Sequence, residues 1–225
     1  MAKVVKQPKK HSRSIKKHIQ LMKLLSKAYL KLTGWNIEPN PPKELHEKCV
    51  MICAPHTSNW DFPITLAVMT GLGIKARYAI KKELMGFPFG PLFRSVGGMS
   101  INRKPKKEGE ERESTVQAIA NLFSKQDKLC LMIAAEGTRS LRTKWKTGFY
   151  YIALEANVPI CLGYLDYKTK TGGFGKVVHP TGDVQADMAI IMDFFKDKTA
   201  KIPANFSVDQ RFVKAPVSKT VSEKN

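Results

Sequence analysis

Two uninterrupted apolar runs constrain the fold of this chain more than any other feature of its sequence. They are Cys49–Ala54 and Leu129–Ala135. Continuous apolar runs of this length are typical of strands that are buried on both faces, as in parallel sheets covered by helices. Pro159–Leu165 predicts a further strand. The chain is therefore expected to build a sheet with helices packed on it.

Helices are predicted between these strands. Asp61 is a good N-cap and Pro63 is favoured at the first helical position, which predicts a helix from Asp61 to about Thr70. Further strands are predicted at 77–80, 100–102 and 176–179, and further helices from the charged stretch 103–113 as far as 123, at 148–157 and at 188–195. This alternation predicts an α/β fold with a largely parallel sheet flanked by helices, and 225 residues suit one full domain with appendages.

The charge of the chain points to an anionic partner. Lys and Arg number 38 against 19 Asp and Glu, a net charge of +19, and residues 1–35 hold ten of the basic residues and no acid. Nucleic acid, an anionic membrane surface and phosphate-bearing substrates all fit such a charge, and the charge alone does not choose among them.

The basic N-terminal segment also has a helical pattern. Lysines lie between apolar residues that recur at steps of three or four, namely Ile15, Ile19, Met22, Leu25, Tyr29 and Leu32. This spacing predicts an amphipathic helix with a lysine-rich polar face, which is typical of helices that lie in a membrane interface. A helix packed on its own domain would show the same pattern.

Three parts of the chain are expected. Residues 1–45 are the basic arm with its membrane-docking helix, 46–200 the α/β domain, and 201–225 a tail without periodicity. No stretch approaches the roughly 20 apolar residues of a transmembrane helix, and the lysine-interrupted start does not suit a signal peptide. The four cysteines include no CxxC pair, which favours reduced thiols. We expect a peripheral protein on the cytoplasmic face of a membrane.

The first candidate site residues follow the strand at 49–54 directly. His56 and Asp61 stand in a loop that enters a helix, where the carboxylate can hold one ring nitrogen while the other accepts a proton. Such a pair is a general base with its orienting partner. Taken alone, this spacing is more often a loop histidine and a helix cap.

The second candidate segment follows the strand at 129–135. Gly137 permits an unusual backbone angle, Arg139 can bind a phosphate through two hydrogen bonds, and Glu136 can fix the guanidinium or a substrate hydroxyl. Further basic residues follow without an acid between them: Arg142, Lys144 and Lys146. The segment predicts an anion site, and a structural Glu–Arg pair with a solvated basic loop is the alternative.

Together these segments resemble a known family. Four blocks occur in order: His56-x4-Asp61, Ser100-Ile-Asn-Arg103, Glu136-Gly-Thr-Arg-Ser140 and Val158-Pro159-Ile160. In order and spacing they match the glycerolipid acyltransferases, and the chain resembles the 1-acyl-sn-glycerol-3-phosphate (lysophosphatidic acid) acyltransferase group. The resemblance covers about residues 50–164 and implies the glycerol-3-phosphate acyltransferase-like fold.

The resemblance also implies roles for individual residues. His56 would deprotonate the acceptor hydroxyl, and Asp61 would orient it. Lys81, in a modified form of the family's A-K-x-E-L pattern, would stabilise the oxyanion at the thioester carbonyl. The residues expected to bind the glycerol phosphate acceptor are Arg103, Glu136, Gly137, Thr138, Arg139 and Lys146.

The implied reaction is an O-acyl transfer at a membrane. A fatty acyl group would pass from acyl carrier protein or coenzyme A to the sn-2 hydroxyl of 1-acyl-sn-glycerol 3-phosphate, giving phosphatidic acid. Apart from the thioester co-substrate we expect no cofactor, and no HxH or HExxH spacing supports a metal site. The expected partners are an anionic membrane surface, the lysophospholipid and the acyl thioester.

Two departures from the family pattern leave the acceptor open. Ala134-Ala135 stands where Phe-Pro is common, and Asn102 stands where Asp is usual. Another lysolipid or hydroxylated lipid is therefore an alternative acceptor. A nucleic-acid-binding protein is the competing class, and it predicts aromatic residues interleaved with basic ones. Most aromatic residues here lie in apolar runs, so nucleic acid is not an expected partner.

Overall fold

The computed structural model describes residues 9–80, 86, 90–100 and 115–213. Within them, seven strands form one sheet in the order β1-β7-β6-β2-β5-β3-β4. Neighbouring strands are parallel except β6 and β7, which are antiparallel. The strands are β1 (Asn36–Ile37), β2 (Lys48–Ala54), β3 (Ala76–Ile80), β4 (Gly98–Ser100), β5 (Leu129–Ala134), β6 (Ile160–Asp166) and β7 (Thr171–Val178). The predicted α/β class with a largely parallel sheet is confirmed.

Helices cover both faces of the sheet and create two apolar layers. They are α1 (Lys9–Leu32), α2 (Asp61–Leu72), α3 (Gly90–Ser95), α4 (Thr115–Ser124), α5 (Gly148–Glu155) and α6 (Val184–Phe195). One layer joins α4, α5 and α6 to the sheet around Phe123, Tyr150 and Phe195. The other joins α1 and α2 to the opposite face around Leu30 and Val68. No helix in the described part of the chain combines the length and apolarity needed to cross a membrane.

The strands that carry the two motifs are neighbours at the centre of the sheet. β2 and β5 run parallel, and Cys53 near the end of β2 pairs with Ala134 at the end of β5. Parallel strands in register end at the same edge, which is where open α/β sheets bind ligands. The loops that begin at Pro55 and Ala135 therefore leave the sheet side by side.

The N-terminal helix packs on the domain and also exposes apolar residues. α1 lies against α2 with Leu30 only 1% exposed, and the side chains of Lys27 and Lys23 pass beside Gly71 and Gly73. Large apolar side chains of α1 face outward, with exposed fractions of 52% for Leu21, 40% for Met22, 64% for Leu24, 53% for Leu25 and 88% for Leu32. The predicted apolar stripe is thus mostly outside the domain core.

The structure differs from the sequence expectation at the C-terminus. Residues 201–225 were expected to form a tail, and the described part of that range, 201–213, packs on the domain. It contains two short 3-10 helices, at Pro203–Asn205 and Gln210–Phe212. Asp209 is fully buried and accepts a hydrogen bond from the Trp145 amide at 2.8 Å. These isolated anchors have no periodicity for a sequence pattern to reveal.

Candidate active site

The structure brings the two motifs together at the carboxyl end of the sheet. The His56 amide, just after β2, donates a hydrogen bond of 2.9 Å to Oε1 of Glu136, just after β5. The two residues are 80 positions apart in the chain. Glu136 therefore ties the loop that carries His56 to the loop that carries Arg139.

His56 and Asp61 face each other across one turn of chain. Nδ1 of His56 lies 3.3 Å from Oδ2 of Asp61, with side chains 26% and 4% exposed. No described residue forms a hydrogen bond with Nε2, so that nitrogen is available to a proton donor at the open side of the ring. The geometry is that of a general base with a carboxylate behind it.

Asp61 does not cap α2 as the sequence predicted. The N-cap is Trp60, and its side chain makes no capping bond. Asp61 is the first helical residue, and its Oδ2 instead accepts the amides of Thr57 and Ser58, both at 2.8 Å. Because a carboxylate accepts these bonds better than the helix amides offer geometry for, the loop before α2 curls over Asp61 and carries His56 with it.

A tyrosine outside every predicted motif completes the surroundings of Asp61. The hydroxyl of Tyr167, in the connection between β6 and β7, donates to Oδ1 of Asp61 at 2.7 Å. Burial alone would raise the pKa of Asp61, but the bonds from His56, Tyr167 and the two loop amides outweigh it and hold that pKa below its usual range. No local signal in the sequence identifies a residue 106 positions away.

Glu136 is buried, and only one of its two oxygens has a partner. The residue is 3% exposed, and Oε2 has no hydrogen-bond partner among the described residues. Burial raises the pKa of this carboxyl above its usual range, and the His56 amide opposes that shift. Glu136 is thus a buried acid that braces the His56 loop and retains one free oxygen.

The remaining acceptor residues of the second motif lie on an open loop. Gly137 has a φ of 68°, which favours glycine, and the stem of Lys146 lies where a Cβ would stand. The Lys146 amide bonds the carbonyl of Ala135 at 3.1 Å, which folds the loop back on itself. Arg139 and Lys146 are exposed, and Thr138 is half-buried. The loop presents positive charge to solvent beside the His56 edge.

A small cavity lies next to the dyad on the α2 side of the sheet. Its volume is about 30 Å³, and apolar residues such as Val68, Met69 and Phe174 line it together with His56 and Asp61. That space is about the share of one water molecule in the liquid. It keeps the inner side of the imidazole largely shielded from solvent.

Two predicted site residues fall outside the described part of the chain. They are Lys81, expected to stabilise the oxyanion, and Arg103, expected to assist at the phosphate. Among the described residues, no group of three or more His, Cys, Asp or Glu side chains is arranged to hold a metal ion. The described site therefore consists of His56, Asp61, Tyr167, Glu136 and the basic loop.

Comparison with known proteins connects this geometry to a family. A family model described as acyltransferase matches residues 33–161, more than half of the chain and including both motifs. The crystal structure of the 1-acyl-sn-glycerophosphate (LPA) acyltransferase PlsC from Thermotoga maritima has a similar fold, with a TM-score of 0.55 and 14% sequence identity. The match covers 84% of this chain and 82% of that one. No curated protein sequence matches significantly.

Proposed function

Because the chain belongs to the acyltransferase family, we propose that it transfers a fatty acyl group from an acyl thioester to the sn-2 hydroxyl of 1-acyl-sn-glycerol 3-phosphate. The products would be phosphatidic acid and a free thiol. The observation that supports this proposal best is the His56–Asp61 pair, 3.3 Å apart at the open edge of the sheet. It supplies a base beside a positively charged loop that suits an acceptor carrying a phosphate.

The proposed chemistry proceeds through His56. Its Nε2 takes the proton of the sn-2 hydroxyl while the hydroxyl oxygen attacks the thioester carbonyl carbon. Asp61 stabilises the imidazolium that forms, and the tetrahedral intermediate then collapses with cleavage of the C–S bond. The imidazolium returns its proton to the departing thiolate, so the enzyme ends in its starting state. No covalent acyl-enzyme is required.

Acceptor binding is assigned to the loop after β5. Arg139 and Lys146 are exposed cations that can bind the phosphate of the lysolipid, and Gly137 keeps the backbone open to it. Glu136 contributes by fixing the His56 amide, and its free oxygen can accept a glycerol hydroxyl. Holding the acceptor by its charged end near His56 removes much of the entropic cost of the reaction. Lys81 and Arg103 retain the roles that the family resemblance implies.

Membrane attachment is assigned to α1. A lipid acceptor and a lipid product require the site to lie at a bilayer, and the outward face of α1 presents Leu24, Leu25 and Leu32 to solvent. Exposed leucines on a helix with many lysines are the pattern of an interfacial helix. The basic residues near an anionic leaflet would add about 1 kcal/mol each.

The experiment that tests the reaction uses the purified full chain with anionic vesicles that contain lysophosphatidic acid. A labelled acyl thioester is offered on acyl carrier protein or on coenzyme A, and phosphatidic acid is measured. His56→Ala should lower the rate by about 100- to 10,000-fold. The matched control is His179→Ala, since His179 is exposed at the far end of β7, and it should keep the wild-type rate.

Three outcomes would revise the proposal. Equal rates in His56→Ala and wild type would refute the base mechanism. Transfer to a different lysolipid but not to lysophosphatidic acid would refute the acceptor, and the altered residues Ala134 and Ala135 would be the first to examine. No transfer to any lysolipid from either donor would refute the lipid substrate.

A further inference from the structure

We propose that Tyr167 is a positioning residue for the reaction, which holds the Asp61 carboxylate in the orientation that supports His56. The inference rests on the proposed function, because it concerns the same pair of residues. Tyr167 lies in the connection between β6 and β7, outside the four sequence blocks. It reaches Asp61 across the end of the sheet.

The two oxygens of Asp61 are held by different parts of the chain. Oδ2 accepts the amides of Thr57 and Ser58 and faces His56, so one short loop holds it. Oδ1 accepts the Tyr167 hydroxyl at 2.7 Å and has no other partner among the described residues. A carboxylate with one fixed oxygen can still rotate about that oxygen, whereas two fixed oxygens define its plane. Tyr167 therefore fixes the plane in which Asp61 meets the imidazole.

Tyr167 is itself held by three segments of the domain. Its ring meets the edge of Trp35, at the end of α1, with centroids 4.9 Å apart at 90°. Its amide donates to the Thr199 carbonyl at 2.9 Å, and the Lys201 ammonium lies 5.4 Å from the ring centroid. A ring needed only for packing would have no use for a buried hydroxyl. The hydroxyl is thus placed before substrate arrives, as preorganised sites require.

The hydroxyl remains a donor under all conditions in which the protein is folded. Burial and the neighbouring Asp61 carboxylate both raise the pKa of Tyr167 well above its usual range. The other titratable groups that act on this pair are His56 and Glu136 beside Asp61, and Tyr29 and Lys201 beside Tyr167. None of them replaces the Tyr167 hydroxyl at Oδ1.

The test is Tyr167→Phe, which removes the hydroxyl and keeps the ring. We expect kcat to fall by about 10- to 100-fold, as for a small misplacement of a catalytic group, while KM for the acceptor changes by less than about twofold. The acid limb of kcat/KM should move to higher pH, because Asp61 loses a donor that favours its ionised form. In an Asp61→Asn background, Tyr167→Phe should lower kcat no further.

The matched control is Tyr150→Phe, which also removes a tyrosine–aspartate bond. The hydroxyl of Tyr150 donates to Oδ2 of Asp187 at 2.8 Å in the apolar layer on the other face of the sheet. This variant should lose thermal stability and keep both kcat and the pH profile. If both variants lower kcat equally, or if Tyr167→Phe keeps the wild-type kcat and pH profile, the positioning role is overturned.

A second measurement does not depend on turnover. Nitrogen NMR of the His56 ring should show the neutral form protonated at Nδ1 in the wild type and a mixture of tautomers in Tyr167→Phe. Equal tautomer populations in the two proteins would overturn the positioning role even if kcat fell. A tautomer change in a protein that transfers no acyl group would uphold the positioning of Asp61 and overturn the proposed reaction instead.

Discussion

Removing two outward leucines of α1 is the sharpest test of the membrane proposal. Leu24 is 64% exposed and Leu25 is 53% exposed. Full burial of a leucine side chain contributes about 1.5–3 kcal/mol, and only the part that is still exposed can gain from contact with lipid. Leu24→Ser combined with Leu25→Ser should therefore cost about 2 kcal/mol of membrane affinity, which is about a 30-fold weaker vesicle partition coefficient.

The assay measures sedimentation with vesicles that contain an anionic phospholipid, at low and at high salt. Because the lost contact is apolar, the loss should be the same at both salt concentrations. Lys31→Gln, by contrast, should weaken binding by about 1 kcal/mol at low salt and by less at high salt. The matched control is Leu154→Ser on α5, where the leucine is 37% exposed; it should leave binding unchanged.

Two results would refute this reasoning. If the double leucine variant bound vesicles as tightly as the wild type, the outward face of α1 would not contact lipid. If its loss disappeared at high salt, the attachment would be electrostatic only. Since both leucines are exposed, urea unfolding should change by no more than about 0.5 kcal/mol, which separates lost binding from lost folding.

Three further perturbations follow from the described contacts. Asp209→Ala should lower the free energy of unfolding in urea by about 2–3 kcal/mol, because the Trp145 amide loses a fully buried carboxylate partner; an unchanged midpoint would contradict this. Gly137→Ala should cost about 1–2 kcal/mol and reduce acyl transfer, because the φ of 68° and the nearby Lys146 stem leave no room for a Cβ; wild-type stability and rate would argue against it. For Glu136→Gln, the sign follows from the raised pKa of Glu136. The wild type loses stability as the pH rises and the buried carboxyl ionises, and the amide does not, so the stability difference should shift in favour of the variant from about pH 4 to about pH 7. A difference that is constant with pH would exclude a buried ionisable role for Glu136.

The centre of the sheet and the position of the site were predictable from the sequence. The apolar runs at 49–54 and 129–135 became β2 and β5 because a strand covered on both faces has no polar side to alternate with. The motifs directly after these runs were expected at one edge for the same reason. The contact between the His56 amide and Glu136 follows from that placement.

The start of β7 was wrong in the sequence prediction, which began that strand at Lys176 instead of Thr171. Glycines at 172 and 173 weaken a strand pattern because they carry no side chain to pack. In the structure their lack of a side chain is the requirement, since a Cβ on Gly172 would lie 2.8 Å from Val68. The close packing of α2 on β7 thus removes the signal that would have identified the strand.

The outward face of α1 and the anchor of Asp61 were only partly predictable. The helix was confirmed, but the residue that α1 buries is Leu30, which lies off the predicted stripe. Periodicity shows that a helix has an apolar face and does not show whether that face meets the domain or something else. Likewise, the Tyr167–Asp61 bond depends on how a turn between β6 and β7 folds over the sheet, which no local pattern encodes.

The end of α1 has a consequence for how turnover would depend on substrate. Trp35 follows α1 and packs on Tyr167, so the helix proposed to rest on lipid ends one side chain away from the dyad. An enzyme anchored so close to its catalytic centre would take each acceptor from the leaflet beneath it and return the product there. Its velocity would then follow the mole fraction of lysolipid in the surface, and one landing would serve many turnovers. Diluting the vesicles in buffer would change the rate less than diluting the lysolipid with inert lipid.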